Sequence, residues 1–272
     1  MPDATPPPLS AAGAALREVR AFWERNPLCA AEIPHPLGSP DYFRHYDRLR
    51  EENESPEFSR RLHEYPDFAG KRVLDVGCGN GYVLSRYAVA GARVTGVDLT
   101  ETAVRLSRER FRLADLPGDF LTGNAEALPF PDASFDCVCS MGVLHHTPDT
   151  QRAVGEVRRV LRPGGLVILM LYHRDSALYR LNFGLRRLLR GEGLAAQVNA
   201  VDGRGNPKGD VYSRAEGLRL LRGFTDREAS VGLLLPWMTL PVVGRFLPRA
   251  LLRPLEGRYG WFLYLKGRKG VG

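Results

Sequence analysis

Cysteine, lysine and long apolar runs are all scarce in this chain of 272 residues. Cys29, Cys78, Cys137 and Cys139 fit neither the spacing of a zinc site nor a small disulfide framework. Cys137 and Cys139 lie two apart in an apolar stretch, which puts both on one face of a strand as small core residues. A reducing, cytoplasmic setting is the expectation. The longest apolar stretch, VGLLLPWMTLPVVGRFLP from Val231 to Pro248, is broken by three prolines and an arginine. It falls short of the roughly 20 apolar residues that span a bilayer. The opening MPDATPPPLSAAGAA has no basic head followed by an apolar core, so it does not read as a secretory leader. Residues 1–13 are expected to be disordered.

With only four lysines, the basic charge is nearly all arginine. The formal charge of +7 hides an asymmetry: residues 1–150 carry 16 basic against 22 acidic side chains, and residues 151–272 carry 22 against 9. A basic half attracts an anionic substrate, nucleic acid or a membrane surface. A solvated arginine-rich face accounts for the same bias, because charge alone carries no site geometry.

What is present is a regular alternation. ALREVRAFWERNP sets Leu16, Val19, Phe22 and Trp23 on one helical face and ends at Pro27; DYFRHYDRLREENES predicts a second helix. From Lys71 onward, apolar runs alternate with amphipathic segments, the sign of a parallel sheet covered by helices. Strands are expected at 72–76, 93–97, near Phe120, and at 135–140 and 166–171, with helices at 82–90, 101–113 and 150–161. Arg162-Pro163-Gly164-Gly165 reads as a stop and turn. Beyond it come an amphipathic helix in SALYRLNFGLRRLLRG, a loop in VDGRGNPKGD, a helix in SRAEGLRLLRGF and a closing strand in WFLYLKG.

The segment LDVGCGNG, Leu74 to Gly81, places three glycines in five positions directly after a strand. Such crowding means that something approaches the backbone closely. A strand, a glycine turn and a helix make a crevice that binds nucleotides. The spacing of Gly77, Gly79 and Gly81 departs from the dinucleotide pattern, whose third glycine falls where Tyr82 stands, and no phosphate-loop lysine follows. A carboxylate at Asp75 repels pyrophosphate and suits an amino group. Asp98, at the end of the next strand, stands where an acid grips ribose hydroxyls. An adenosine with an amino-acid tail and no phosphate is S-adenosylmethionine.

VLDVGCGNG, VTGVDL, GNAEALPFPDASFDCVCSMGVLHHTPD and EVRRVLRPGGLVIL, in this order, resemble the motifs of the class I S-adenosylmethionine-dependent methyltransferases, small-molecule branch. The resemblance covers about residues 71–172. It implies an α/β, Rossmann-like, mostly parallel seven-stranded sheet flanked by helices. A helical lid over residues 14–70 precedes that domain (71–272), which carries an insert at about 174–212. It also implies site residues. The turn Gly77-Cys78-Gly79, with Gly81 and Asp75, lies against the methionine part; Asp98 holds the ribose, and Leu99 packs on the adenine. Asn124 and Ala125 read the adenine edge, the Asn124 carbonyl accepting from its amino group; Ser140 and Met141 lie beside the sulfonium. Leu99 and Met141 also read as plain core, and Glu126 equally as a helix-start contact.

Methyl transfer from a sulfonium needs alignment and exclusion of water, and a base only where the acceptor loses a proton. Candidate bases are His145 and His146 after the fourth strand and His173 after the fifth; packing is the competing role for each. Trp23, Tyr42, Phe43 and Tyr46 suggest an aromatic lid, and Tyr172 and Arg174 complete the candidate acceptor contacts, Arg174 for an anionic group. SMGV after the fourth strand lacks the Asn/Asp-Pro-Pro-aromatic turn of enzymes that methylate amino groups on bases, which argues against nucleic acid. The expected partner is a small organic acceptor, anionic or apolar. Two other readings stay open. One is an enzyme of lipids or quinones at a membrane surface, with Leu181, Leu185, Leu188 and Leu189 alternating with arginines on an interfacial helix. The other is a non-catalytic module that binds the nucleoside. The oligomeric state is not legible.

Overall fold

The computed structural model describes residues 11–271; the first ten residues of the expected disordered tail lie outside them. Helix α1 (Ala11–Arg25) begins inside that expected tail. Helices α2 (Pro40–Asn53) and α3 (Pro56–His63) follow, each started by a serine whose hydroxyl accepts a backbone N–H and by a proline in the first turn. The sheet then opens with β1 (Arg72–Val76), α4 (Tyr82–Val89), β2 (Arg93–Asp98), α5 (Glu101–Leu113), β3 (Asp119–Thr122), β4 (Phe135–Met141), α6 (Thr150–Val160) and β5 (Leu161–His173).

Strand order is β3-β2-β1-β4-β5-β8-β7, with β1 to β5 parallel and β8 (Phe262–Lys269) antiparallel to both β5 and β7 (Phe224–Gly232). Seven strands lie on this path, as expected. An eighth, β6 (Val211–Tyr212), pairs with the end of β5 at Tyr172 and His173. The expected turn at Arg162–Gly165 is a correction of another kind: β5 starts at Leu161 and runs through it, with a register shift opposite Phe135 and Cys137.

Alternation along the strands divides the core in two. Val73, Cys137, Cys139, Leu166, Ile168 and Met170 face one helical layer, while Leu74, Val138, Val167, Leu169 and Leu171 face the other. Cys137 and Cys139 are thus core side chains on one face. A third cluster joins Leu178 and Phe183, in the π-helical turn Leu178–Phe183, to Leu234, Met238, Leu252 and Trp261. It forms a satellite layer from two stretches: the one after β5, with α7 (Gly184–Arg190) and α8 (Leu194–Asn199), and the β7–β8 connection, with α10 (Arg249–Tyr259). Between them, α9 (Arg214–Leu220) packs on β7 and β8.

The N-terminal helices are tied to the sheet domain by two straps. Glu24 of α1 accepts the Glu101 and Thr102 N–H groups, both at 3.0 Å, capping α5 from outside. Arg110 of α5 donates to Asn80 O (2.8 Å), pairs with Asp47 of α2 (2.8 Å) and lies under the Phe43 ring.

Candidate functional site

The glycine turn has a defined strain pattern. Gly77, Gly79 and Gly81 have φ of +81°, +54° and +78°, in the left-handed region. A Cβ on Gly77 would stand 2.2 Å from Val143 Cγ2, so the turn closes only around a hydrogen there. At Gly79 a Cβ would meet nothing within 4 Å, and the residue borders a cavity. Gly81 caps α4 and packs on Ser107; it does not line the cavity. Four amides of this turn are already spent. Gly77 N and Cys78 N donate to Val97 O, Gly79 N to Asp98, and Gly81 N to Cys78 O. A phosphate cradle needs such N–H groups free, and these are not.

Two carboxylates border the same cavity. Asp75 is buried, and its Oδ1 has no hydrogen-bond partner among the described residues. Burial, with Asp98 adding to it, pushes its carboxyl up to about 8, against the opposing Cys139 thiol and Arg50. A ligand ammonium would supply the missing donor and countercharge. Asp98 is also raised by burial, opposed by the groups that hold it: Gly79 N at 3.1 Å, Thr100 N at 3.0 Å and Thr100 Oγ1 at 2.9 Å. Both Thr100 bonds fall on Oδ1 and the Gly79 bond on Oδ2, so Oδ2 keeps a lone pair for a further donor.

Along the same cavity lie Cys78, Leu99, Asn124, Ala125 and Met141. The Asn124 carbonyl already accepts from Glu126 N at 2.9 Å. Glu126 itself does not line the cavity; its Oε1 accepts from Asp149 N at 2.7 Å, at the start of α6. Ser140 is likewise turned away: its hydroxyl donates to Val76 O at 2.7 Å, locking β4 to β1.

Much of the cavity lining is aromatic and apolar, with Leu16, Val19, Trp23, Leu28, Tyr42 and Tyr46 from the N-terminal region, and Tyr172 and Phe262 from the sheet. Phe43 lies outside the lining, buried in the main core. His146 stands here. Its Nδ1 donates to Lys208 O at 2.5 Å, which leaves the Nε2 lone pair facing Asp202 Oδ2 at 3.5 Å. Burial lowers the His146 imidazolium's stability, and Asp202 opposes that shift. Asp202 also accepts from the Tyr172 hydroxyl at 2.5 Å.

Three expected contacts are placed elsewhere. His145 is fully buried between His146 and Tyr172, ring centroids 4.1 Å from each. Neither of its nitrogens has a partner among the described residues, and burial holds it well below the ordinary histidine range. It is a packing residue. His173 donates from Nδ1 to Gly260 O, and Arg174 pairs with Glu216 at 2.6 Å; neither lines the cavity. Sequence reasoning in turn missed Asp202, Arg50 and Asn80, which do line it. Asp202 sits in a stretch read as plain loop, and its only signal was an acid next to glycines.

Comparison with known proteins accords with this geometry. Residues 74–169 match the family model described as a methyltransferase domain. The chain is 43% identical to 27-O-demethylrifamycin SV methyltransferase of Amycolatopsis mediterranei over 104 residues, 37% of this chain and 38% of that protein. It is 33% identical to phthiotriol/phenolphthiotriol dimycocerosates methyltransferase 1 of Mycobacterium ulcerans, over 72% of this chain and 65% of that one. The matches span about two fifths of the length of the first curated relatives. Among solved structures, an S-adenosylmethionine-dependent methyltransferase of Methanosarcina mazei superposes with a TM-score of 0.58 at 24% identity, over 78% of this chain and 98% of that chain. That likeness is one of fold.

Proposed function

We propose, from the premise that residues 74–169 belong to the class I S-adenosylmethionine-dependent methyltransferase family, that this protein transfers a methyl group to an oxygen of a small, largely apolar organic acceptor. The observation that carries the reading is one cavity lined by two kinds of group: an orphaned Asp75 carboxylate with a fixed Asp98, and a histidine among aromatic and apolar side chains. When bound, S-adenosylmethionine supplies a methyl group on a positively charged sulfur. Asp75 would take its ammonium and Asp98 its ribose hydroxyls. Gly77 and Gly79 would let the methionine part lie on the backbone, with Leu99, Asn124 and Ala125 around the adenine.

His146 Nε2 takes the proton of the acceptor hydroxyl as that oxygen becomes the nucleophile. Asp202 steadies the imidazolium that results, and the Lys208 carbonyl fixes the tautomer. The lining of Leu16, Val19, Trp23 and Tyr42 excludes water and suits an apolar ring or chain. The name of the Amycolatopsis relative specifies an oxygen acceptor, and that of the Mycobacterium relative a lipid, in keeping with this lining.

A screen of phenols, enols and hydroxylated lipids for S-adenosylhomocysteine release tests the reading, with Asp98→Ala as the blank. Turnover with an oxygen acceptor supports it. Donor binding without turnover on any oxygen, nitrogen or carbon acceptor would leave a nucleoside-binding module instead.

A further inference from the structure

The connection between β7 and β8 carries a surface that methyl transfer does not use. In residues 236–259, Trp237, Val242, Val243, Phe246, Leu251 and Leu255 are exposed, Phe246 at 72% and Leu251 at 66%. Pro236, Pro241 and Pro248 break the stretch into short turns before α10, so these side chains cannot fold back into one buried helix. Leu251, Leu255 and Tyr259 follow one stripe of α10, beside the inward Leu252. Across a loop, α7 buries none of its residues and exposes Leu188 and Leu189. The two stretches form one body: Asn182 donates to Trp237 O at 2.9 Å, and Phe183 and Met238 share the satellite core.

The charge on this surface is one-sided. Residues 236–259 hold Arg245, Arg249, Arg253 and Arg258 against a single acid, Glu256, whose carboxylate is turned inward to Leu233 N. None of the four arginines pairs with a carboxylate among the described residues. Arg245 and Arg258 lie over the rings of Phe246 and Tyr259.

So many large apolar side chains left exposed within one stretch are unusual on a protein surface that faces only water. A second copy of the chain would set these arginines against each other. A layer with phosphates outside and acyl chains beneath satisfies both features at once. We propose that residues 236–259, with α7 beside them, seat the protein on an anionic phospholipid bilayer. The contact is peripheral, since no helix among the described residues is long and apolar enough to cross a membrane. The satellite core under this surface reaches the cavity: Trp261, packed with Met238 and Leu252, stacks on Tyr172 at 4.4 Å, and Tyr172 and Phe262 line the cavity. A lipid-borne acceptor would have a short path inward.

The inference rests on exposure and charge, so it is tested without donor or acceptor. The full chain is sedimented with phosphatidylglycerol-rich vesicles and with pure phosphatidylcholine vesicles, at low and high salt. Binding to the anionic vesicles, weakened by salt, is expected. Arg253→Glu with Arg258→Glu lowers it by roughly tenfold or more, and Phe246→Asp with Leu251→Asp does the same, while melting temperature and donor affinity stay unchanged. Equal binding to neutral vesicles, or variants that bind like the parent, would overturn the proposal. So would a dimer in solution that Phe246→Asp converts to monomer, because a second copy would then cover this face.

Discussion

A carboxylate kept from water with an oxygen unpaired is unstable until something donates to it, and Asp75 is in that state. The folded protein holds its proton up to about pH 8, whereas an unfolded chain releases it near the ordinary value of 3.8. Stability from this group is therefore present at low pH and is lost as pH rises toward 8, by up to about 1.4 kcal/mol per pH unit. Asp75→Asn should flatten the fall in melting temperature of the ligand-free protein between pH 6.5 and 8, and should weaken S-adenosylmethionine in calorimetric titration. A variant that kept the parent's slope would show that Asp75 is ionised and paired. In the same cavity, His146→Gln should lower kcat by about 10²–10⁴ on an oxygen acceptor, with donor affinity retained. His145→Phe should leave kcat near that of the parent, because His145 is buried behind His146 and does not line the cavity. A steady-state comparison of the two variants decides which ring moves the proton. Asp75 and Asp98 were legible because a strand followed by a glycine turn fixes where their side chains point. The roles of the two histidines were not. Adjacent residues in a short turn face different ways, and the choice was made by Lys208 and Asp202, far along the chain.

Elements show the same division between local and distant causes. The strands β1, β2 and β4 and the helices α4, α5 and α6 were readable to within a residue or two, since buried parallel strands and covering helices carry their periodicity in sequence. Strand β7 was not readable: Thr225, Asp226, Arg227 and Glu228 at its centre are polar and exposed, on an edge paired only with β8, and a bulge interrupts the register there. The N-terminal helices are held by a contact between elements with no sequence signature, the Glu24 carboxylate on the first N–H groups of α5. Those hydrogen bonds outweigh its burial and draw its carboxyl below the ordinary range. Glu24→Ala should destabilise the fold by about 1 kcal/mol, as loss of a helix cap does. It should also weaken donor binding, because Glu24 holds α1 on the start of α5, next to Asp98 and Thr100, and Leu16, Val19 and Trp23 of α1 line the cavity. Melting curves and donor titration of the same variant separate a lid from a mere extension: loss of stability with unchanged donor affinity would remove the lid role.

Over the whole molecule, the acidic N-terminal half supplies Asp75 and Asp98 to the cavity, while the arginine-rich C-terminal half supplies Asp202 and the satellite layer. That layer was the least legible part. Its π-helical turn, short helices and proline-broken turns take their shape from packing around Trp261 and Phe183 rather than from periodicity. The cavity couples to global stability, because its lining includes the buried Asp75 and comes from β1, β2, β4 and the N-terminal helices. A ligand that binds only the folded state at a hundred times its Kd stabilises by about 2.7 kcal/mol. For a chain of this size that corresponds to a rise in melting temperature of roughly 5–10 °C. S-adenosylmethionine should produce such a rise. The neutral thioether S-adenosylhomocysteine should do so as well, since both keep the ammonium and the ribose. Nicotinamide and flavin dinucleotides at the same concentration should not, because the Gly77, Cys78, Gly79 and Gly81 amides are bound to Val97, Asp98 and Cys78 and two carboxylates border the place a pyrophosphate would take. A thermal shift given by a dinucleotide, and absent with both sulfur nucleosides, would contradict the assignment of Asp75 and Asp98 and with it the proposed reaction.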